Sequence, residues 1–307
     1  TKSEYAGILK NNPYLDEIIE FTKGQKLAEL GIMLRKNKYD LCVDLHANLK
    51  SHALGFAAEP GKILRYRKDS LKRRLMVWLK IGLDAAPKSV AEKYLDALLP
   101  LGITAAPGDL IPEIFITAEE MKAADEFLKQ SCIEDTDMLI GINPGGNHFT
   151  KKFPPEKYAE ICSRLGRKFS NAKFIVFGGE NDIQTAGETA KSMSEAPVIA
   201  AGRTSLTAAA ALVNECALLL TNDSGLMHMA AAVKTPVLAF FGPTVPQFGF
   251  FPLGKNDKIM QVPLSCRPCS LHGGKKCPIN TLDCMNRIDV GEAVTQAEKI
   301  LNSVLKK

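Results

Sequence analysis

The sequence contains no long apolar run and only one tryptophan. No stretch of about 18 apolar residues is present, so a membrane-spanning helix is not predicted. Internal repeats and low-complexity tracts are absent as well. Apolar residues make up 46% of the 307 residues and charged residues 24%. This composition is typical of globular proteins and excludes a disordered or fibrous chain.

Two phosphate-binding signatures are also missing. The chain has no Walker A sequence and no GxGxxG sequence followed by a ribose-binding acid, which disfavours P-loop hydrolases and dinucleotide enzymes. Its positive charge is modest, with a formal net charge of +5 and a pI near 8.7. Dedicated nucleic-acid-binding domains are usually more basic, so we do not expect a nucleic-acid partner.

The positive charge is concentrated in one stretch, residues 62–80, in which Asp69 is the only acid. The stretch is either the solvated face of a helix or a patch that attracts an acidic partner, such as a phosphorylated lipid or the membrane that carries it. Its basic residues are Lys62, Arg65, Arg67, Lys68, Lys72, Arg73, Arg74 and Lys80.

The eight cysteines divide into two sets of four. One set is scattered among apolar neighbours, as expected for buried thiols of a cytoplasmic protein. The other forms one local cluster, which favours a reduced compartment over a disulfide scaffold. The clustered residues are Cys266, Cys269, Cys277 and Cys284. Their opening Cys-x2-Cys spacing is compatible with structural zinc, but the later gaps match no standard zinc finger, so free or redox-active thiols are the alternative.

The later part of the chain alternates strand-like and helix-like segments. Apolar runs predict five strands, at residues 138–143, 173–178, 198–201, 217–221 and 236–241. Helical spacing and N-cap residues predict the helices between them, over residues 155–169, 182–194, 205–214 and 225–233. This alternation predicts a parallel, doubly wound α/β sheet. We place a domain boundary at the helix start after Thr117, which separates residues 1–117 from residues 118–307.

Three loops after these predicted strands carry the residues suited to a phosphate ligand. Ligands of such sheets bind at the carboxyl ends of the strands. Lys151 follows the first loop and supplies a positive charge. Glu180 or Asp182 follows the Gly178-Gly179 turn. The third loop, Asp223-Ser-Gly-Leu-Met-His228, starts a helix whose free amides suit a diphosphate. The structural alternatives are that Asp-Ser-Gly is only the N-cap of this helix and that His228 is only a core residue.

The third loop also resembles a known family. Thr221-Asn-Asp-Ser-Gly-Leu-Met-His228, followed by Thr235-Pro-Val-Leu-Ala-Phe-Phe-Gly-Pro-Thr244, is similar to the signature of the ADP-heptose:lipopolysaccharide heptosyltransferases, glycosyltransferase family 9. The segments at 39–46, 91–98, 141–145 and 151–158 agree with it. The resemblance covers nearly the whole chain, from about residue 12 to the C-terminal helix.

The resemblance implies a GT-B fold, in which two Rossmann-like domains enclose the active site. Residues 1–117 would form the acceptor side and residues 118–307 the donor side. Transfer of heptose from ADP-heptose would invert the configuration at the sugar C1 and would need no metal. The implied donor-binding residues are Lys151, Glu180 or Asp182, Asp223, Ser224, Gly225, Leu226 and His228. The implied acceptor is an acidic molecule of the lipid A/Kdo type, met by the stretch 62–80 at the cytoplasmic face of the inner membrane.

One departure from the family pattern affects the expected activity. The family begins with a strand and a Gly-Asp loop that supplies the proposed base aspartate, and no such segment occurs before residue 100. We therefore expect a truncated acceptor domain, no identifiable catalytic base, and weak or no transfer by these 307 residues. Two alternatives remain open: a GT-B enzyme for another nucleotide sugar, and a non-catalytic protein that binds nucleotide sugars.

Overall fold

The computed structural model describes residues 1–106 and 109–305, whose strands form two separate parallel sheets. A two-stranded sheet comes first in the chain and a six-stranded sheet follows. The strands are β1 (Leu41–Asp44), β2 (Lys62–Arg65), β3 (Met138–Asn143), β4 (Ala172–Val176), β5 (Val198–Ile199), β6 (Leu218–Asn222), β7 (Val237–Phe241) and β8 (Lys258–Gln261). The boundary predicted after Thr117 lies between the two sheets and stays a prediction.

Helices connect most of these strands in strand–helix–strand units; between β7 and β8 the connection is a loop with one 3-10 turn, Pro246–Phe248. Within the described residues, no helix has the length and apolar character needed to cross a membrane. The helices are α1 (Ser3–Ala6), α2 (Leu27–Lys36), α3 (Leu49–Ala57), α4 (Ser70–Leu79), α5 (Val90–Asp96), α6 (Ala118–Gln130), α7 (Pro155–Lys168), α8 (Ile183–Ser192), α9 (Leu206–Asn214), α10 (Gly225–Ala232), α11 (Asp283–Asn286) and α12 (Val290–Val304).

The six-stranded sheet has the order β5-β4-β3-β6-β7-β8, with every pair parallel. Apolar helices cover both of its faces. Alternate residues of β3 show why: Ile140 and Ile142 pack with α7 and α12, whereas Leu139 packs with α6, α9 and α10. The strand order reverses between β3 and β6, and such a reversal opens a crevice at the carboxyl edge of the sheet.

The predicted elements of this sheet are confirmed within a few residues. The predicted strand 138–143 is β3, and the predicted helix 225–233 is α10, which ends one residue earlier. Ser205 caps α9 as predicted, because its Oγ accepts a hydrogen bond of 3.2 Å from the Ala208 amide. Strand β8 was not predicted, since only half of its short length is apolar and it lies at the sheet edge.

The first residues of the chain pack against the six-stranded half. Ile8 contacts the small-residue face of α9 and α10, formed by Ala209, Ala210 and Met229. Asn11 donates a 3.1 Å hydrogen bond to the Glu120 carboxylate at the start of α6. The predicted first domain, residues 1–117, therefore includes a segment whose contacts are with the second.

Helix α4 connects the two halves. Met76 is buried against Val245 and Phe248, which lie in the loop after β7. Lys80, just beyond the end of α4, donates hydrogen bonds to the carbonyls of Cys266 and Pro268. This inner face of α4 thus packs behind loops that extend to the carboxyl edge of the larger sheet.

Candidate functional site

A cavity of about 920 Å³ lies at the carboxyl edge of the six-stranded sheet, where the strand order reverses. The loops after β3, β4, β5, β6 and β7 line it, together with residues from the start of the chain. All but one of the predicted donor-binding residues are brought together here. They are Lys151, Asp182, Asp223, Ser224, Gly225, Leu226 and His228; Glu180 is the exception.

An ion pair joins two of the loops inside the cavity. Lys151 Nζ lies 2.6 Å from Asp223 Oδ2, and Thr244 Oγ1 donates to the same oxygen at 2.6 Å. Asp223 is only 8% exposed, so its charge depends on these two partners. Thr244 was not among the predicted donor-binding residues, although its position three residues after the predicted strand 236–241 was a usable signal.

The start of α10 faces the cavity without a side-chain cap. Ser224 occupies the N-cap position with extended backbone, yet its hydroxyl makes no capping bond to the helix. That hydroxyl instead accepts a 2.8 Å hydrogen bond from Asn143 Nδ2, at the end of β3. Ser224 therefore stands at the N-cap position without capping the helix with its side chain, and the amides of the first turn remain free for an anion.

Gly225 leaves open space at this helix start. A Cβ atom placed on Gly225 would meet no atom within 4 Å, so the protein's own packing does not require glycine there. The missing side chain instead lets a ligand approach the amides of α10 closely.

A buried asparagine holds the first and third loops in register. Asn222 donates to the carbonyls of Pro144 and Gly145, at 2.9 and 3.0 Å, and its Oδ1 accepts from the Phe153 amide and the Tyr158 hydroxyl. All of its polar atoms are paired, which fixes the glycine-rich loop beside α10. Asn222 is part of the family motif at residues 221–228, but its contacts with the first loop were not predicted from the sequence.

Glu180 and Asp182 occupy different places. Asp182 lines the cavity, but its carboxylate accepts hydrogen bonds from the amides of Gly146 at 3.0 Å and Gly179 at 3.2 Å. It therefore ties together the loops after β3 and β4. Glu180 is exposed and does not line the cavity. Of the two alternatives left open by the sequence, only Asp182 lies at the site.

His228 lies on the first turn of α10, close to the ion pair. Burial lowers the pKa of His228, the nearby Lys151 lowers it further, and Asp223 opposes both. The imidazole is therefore neutral near pH 7, where it can donate or accept a hydrogen bond. His272, from the loop after β8, lines the same cavity. Burial lowers its pKa too, followed by the charges of Arg73, Lys151, His148 and Lys68.

The four clustered cysteines lie in and after the loop that carries His272. All are free thiols, and Cys284 is buried in the core of the larger sheet. Across residues 1–106 and 109–305, no three His, Cys, Asp or Glu side chains are placed to hold a metal ion. Structural zinc thus stays a prediction from spacing alone. The buried Arg267 between them donates to the carbonyls of Gly242 and Thr244 and so supports the loop that carries Thr244.

The basic stretch 62–80 does not form one continuous face. Residues 62–65 belong to strand β2 and residues 70–79 to α4. Arg73 is buried and Lys80 binds the cysteine loop, whereas Lys62, Lys72 and Arg74 are exposed. The interpretation as a single solvated helix face is therefore wrong, because the fold turns successive basic residues in different directions.

A family model and curated proteins match most of this chain. The model described as glycosyltransferase family 9 (heptosyltransferase) matches residues 27–278. Lipooligosaccharide heptosyltransferase 2 of Haemophilus influenzae is 29% identical over 257 residues, which cover 78% of this chain and 72% of that protein.

Solved structures are similar over nearly the whole chain. A glycosyl transferase family 9 structure from Veillonella parvula has a TM-score of 0.77 and 24% identity, covering 98% of this chain and 87% of that one. The structure of E. coli heptosyltransferase WaaC with ADP has a TM-score of 0.66 and 18% identity, covering 97% and 88%. These likenesses confirm the predicted fold class.

Proposed function

This chain belongs to glycosyltransferase family 9, and from that premise we propose that it transfers heptose from ADP-heptose to a lipopolysaccharide inner-core acceptor. The proposal takes its substrates from the heptosyltransferases to which the chain is similar. In this proposal ADP-heptose binds in the cavity at the edge of the six-stranded sheet. The alternative left open by the sequence, a different nucleotide sugar, is represented in the titration below by a UDP-sugar.

The observation that carries the proposal is the uncapped start of α10 beside Lys151. Free amides at a helix start bind diphosphate through hydrogen bonds and the helix dipole. Gly225 leaves room for that approach, and the Lys151 ammonium group, paired with Asp223, lies within the same cavity. A sugar nucleotide carries the diphosphate that these amide and ammonium donors suit.

These groups would act most strongly on the leaving diphosphate. The acceptor oxygen forms a bond to the sugar C1 while the bond from C1 to the diphosphate oxygen breaks, so negative charge grows on the departing ADP. The α10 amides and Lys151 would stabilise that charge. The proton of the acceptor hydroxyl passes to a carboxylate base, which is not one of the donor-binding residues. Donor binding is therefore tested separately from transfer.

Calorimetric titration of ADP-heptose and of a UDP-sugar tests the donor site. We expect ADP-heptose to bind to the wild-type protein more tightly than the UDP-sugar. In Gly225→Val, the new side chain projects into the open space over the helix start, so ADP-heptose binding should be lost.

Gly187→Val is the matched control. A Cβ on Gly187, in α8, also meets no atom within 4 Å, but Gly187 does not line the cavity. Wild-type affinity in this control is expected. Equal ADP-heptose binding by all three proteins would overturn the donor-site assignment, and tighter binding of the UDP-sugar would replace the proposed donor.

For the acceptor side, we propose that α4 contacts the cytoplasmic face of the inner membrane. The outer face of α4 exposes Leu71, Leu75 and Trp78, with Trp78 72% exposed. Exposed Lys72 and Arg74 flank these apolar residues. Apolar and aromatic side chains surrounded by basic ones are typical of helices that lie on anionic lipid.

A further inference from the structure

The inner face of α4 carries a buried positive charge without an anionic partner. Arg73 is only 8% exposed. None of the ion pairs within the described residues includes it. Its Nη2 donates to the Lys68 carbonyl at 2.8 Å, but its Nε has no hydrogen-bond partner. Across residues 1–106 and 109–305, Ser3 Oγ is the other buried side-chain polar atom without a hydrogen-bond partner.

Such an arrangement is costly for the fold. A guanidinium group keeps its proton at any physiological pH, so it cannot escape the cost of burial by becoming neutral. The Phe250 ring, 5.9 Å from the guanidinium carbon, returns part of that cost through a cation–π contact. A buried charge of this kind is normally paired, and the residues that the structure describes supply no anionic partner for it.

Arg73 lies directly behind the wall of the donor cavity. Phe250, against which its guanidinium packs, lines the cavity and is 37% exposed. His272, another lining residue, is close enough for Arg73 to contribute to lowering its pKa. Arg73 therefore adds its charge to this wall from the α4 side, whereas the amides of α10 belong to the six-stranded half.

We propose that Arg73 binds an anionic group of the acceptor, a phosphate or a carboxylate, in a subsite distinct from the diphosphate site at α10. This inference rests on the proposed function and identifies the residue that recognises the acidic acceptor. A planar guanidinium suits it, because its Nε and Nη groups can bind two oxygens of one anion at once. The anion would reach Arg73 from the cavity, past the Phe250 ring that lies between them.

Inorganic phosphate titrated into ADP-saturated protein tests the subsite without requiring transfer. ADP occupies the α10 site, so the remaining phosphate binding reports on a second anion site. We expect wild-type protein to bind phosphate and Arg73→Met to lose that binding. Arg35→Met removes an exposed charge from α2 and should behave as the wild type. Absence of phosphate binding to the wild type, or its retention in Arg73→Met, would overturn the proposal.

Titration of the acceptor into ADP-saturated protein separates an acceptor group from a donor group without requiring transfer. Arg73→Met should raise the acceptor Kd at least tenfold and leave ADP affinity unchanged within twofold. With an enzymatically dephosphorylated, carboxyl-reduced acceptor, wild type and variant should have the same Kd. A parallel loss of ADP affinity would instead give Arg73 to the donor diphosphate and overturn the acceptor assignment.

Thermal unfolding distinguishes ligand binding from a structural role. Arg73→Met removes an unpaired buried charge and keeps apolar volume, so its melting temperature should equal or exceed that of the wild type. A lower melting temperature together with lost phosphate binding would make Arg73 structural and overturn the proposal. If ADP does not bind to the wild type, the donor proposal fails. Phosphate binding is then compared in Gly225→Val and Arg73→Met. The anion subsite is supported if Arg73→Met loses phosphate binding and Gly225→Val retains it.

Discussion

At the scale of single residues, the candidate site depends on contacts between segments far apart in the chain. Lys151 and Asp223 form the ion pair of the cavity, and Thr244 completes it from a third loop. The sequence predicted the first two as donor-binding residues, because each follows a strand of the predicted sheet. It did not predict that Lys151 would pair with Asp223, since the pairing depends on how the loops fold over the sheet edge.

Replacing Lys151 tests the contribution of its ammonium group to ADP binding. Lys151→Met should weaken ADP binding about 10- to 100-fold, because a charged hydrogen bond contributes about 1.5–3 kcal/mol. Titration calorimetry with ADP measures the change. Lys152→Met is the matched control, because Lys152 bonds to Thr185 and does not line the cavity. The same loss in both variants would mean that net charge, and not this position, governs ADP binding.

The lowered pKa of His228 predicts a pH dependence of stability. Burial holds the pKa of His228 below its ordinary 6.5, so below pH 6.5 the unfolded chain takes up a proton that the folded protein resists. The stabilising contribution of neutral His228 to the free energy of unfolding is therefore fully present above pH 6.5, and it is lost as the pH falls through the pKa of His228 in the folded protein. Melting temperatures of wild type and His228→Asn over about pH 5–8 measure it. A difference between the two proteins that does not change with pH would contradict this prediction.

At the scale of elements, the helices and strands of the six-stranded sheet were predictable from local pattern. Strand β3 was predicted to the residue and α10 to within one residue. The sequence offered one solvated helix face over residues 62–80 as an interpretation, whereas residues 62–65 form a strand and α4 covers only Ser70–Leu79. In the structure α4 has one buried face and one exposed face: Arg73 and Met76 are buried, whereas Leu71 and Trp78 are exposed to solvent.

The outer face of α4 can be tested with the protein's single tryptophan. Trp78 emission should shift to shorter wavelength with vesicles that contain phosphatidylglycerol, and not with phosphatidylcholine alone. Lys72→Glu with Arg74→Glu should abolish the shift, because each basic residue near an anionic surface contributes about 1 kcal/mol to binding. Lys122→Glu, an exposed change on α6, should retain it. An equal shift with neutral vesicles would rule out the electrostatic part of the proposal.

At the scale of the whole molecule, α4 links the two sheets behind the cavity wall. Met76 packs against Phe248, and Lys80 binds the carbonyls of Cys266 and Pro268. The backbone of Val90 adds another contact, a 3.0 Å hydrogen bond to the Gly249 carbonyl. The loops that form the cavity wall are therefore supported from the first part of the chain.

Lys80 provides a test of that link. Lys80→Met should lower the free energy of unfolding by about 2–3 kcal/mol, because its ammonium group bonds to three carbonyls that are partly buried. Lys72→Met, on the exposed face of the same helix, should change it by less than about 0.5 kcal/mol. Urea denaturation measures both values. Equal values for the two variants would show that the Lys80 contacts do not stabilise the link.

The sequence by itself determined the alternating α/β plan, the family and most of the candidate residues that line the cavity. Each is encoded locally: apolar runs specify strands, helical spacing specifies helices, and residues 221–244 form one contiguous motif. Tertiary structure alone decided that Asp182 lies at the cavity and Glu180 does not, that Ser224 leaves α10 uncapped, and that Arg73 is buried with no partner for its Nε among residues 1–106 and 109–305. The physical reason is that burial and pairing depend on which distant segments the fold brings together, and local pattern carries no record of that.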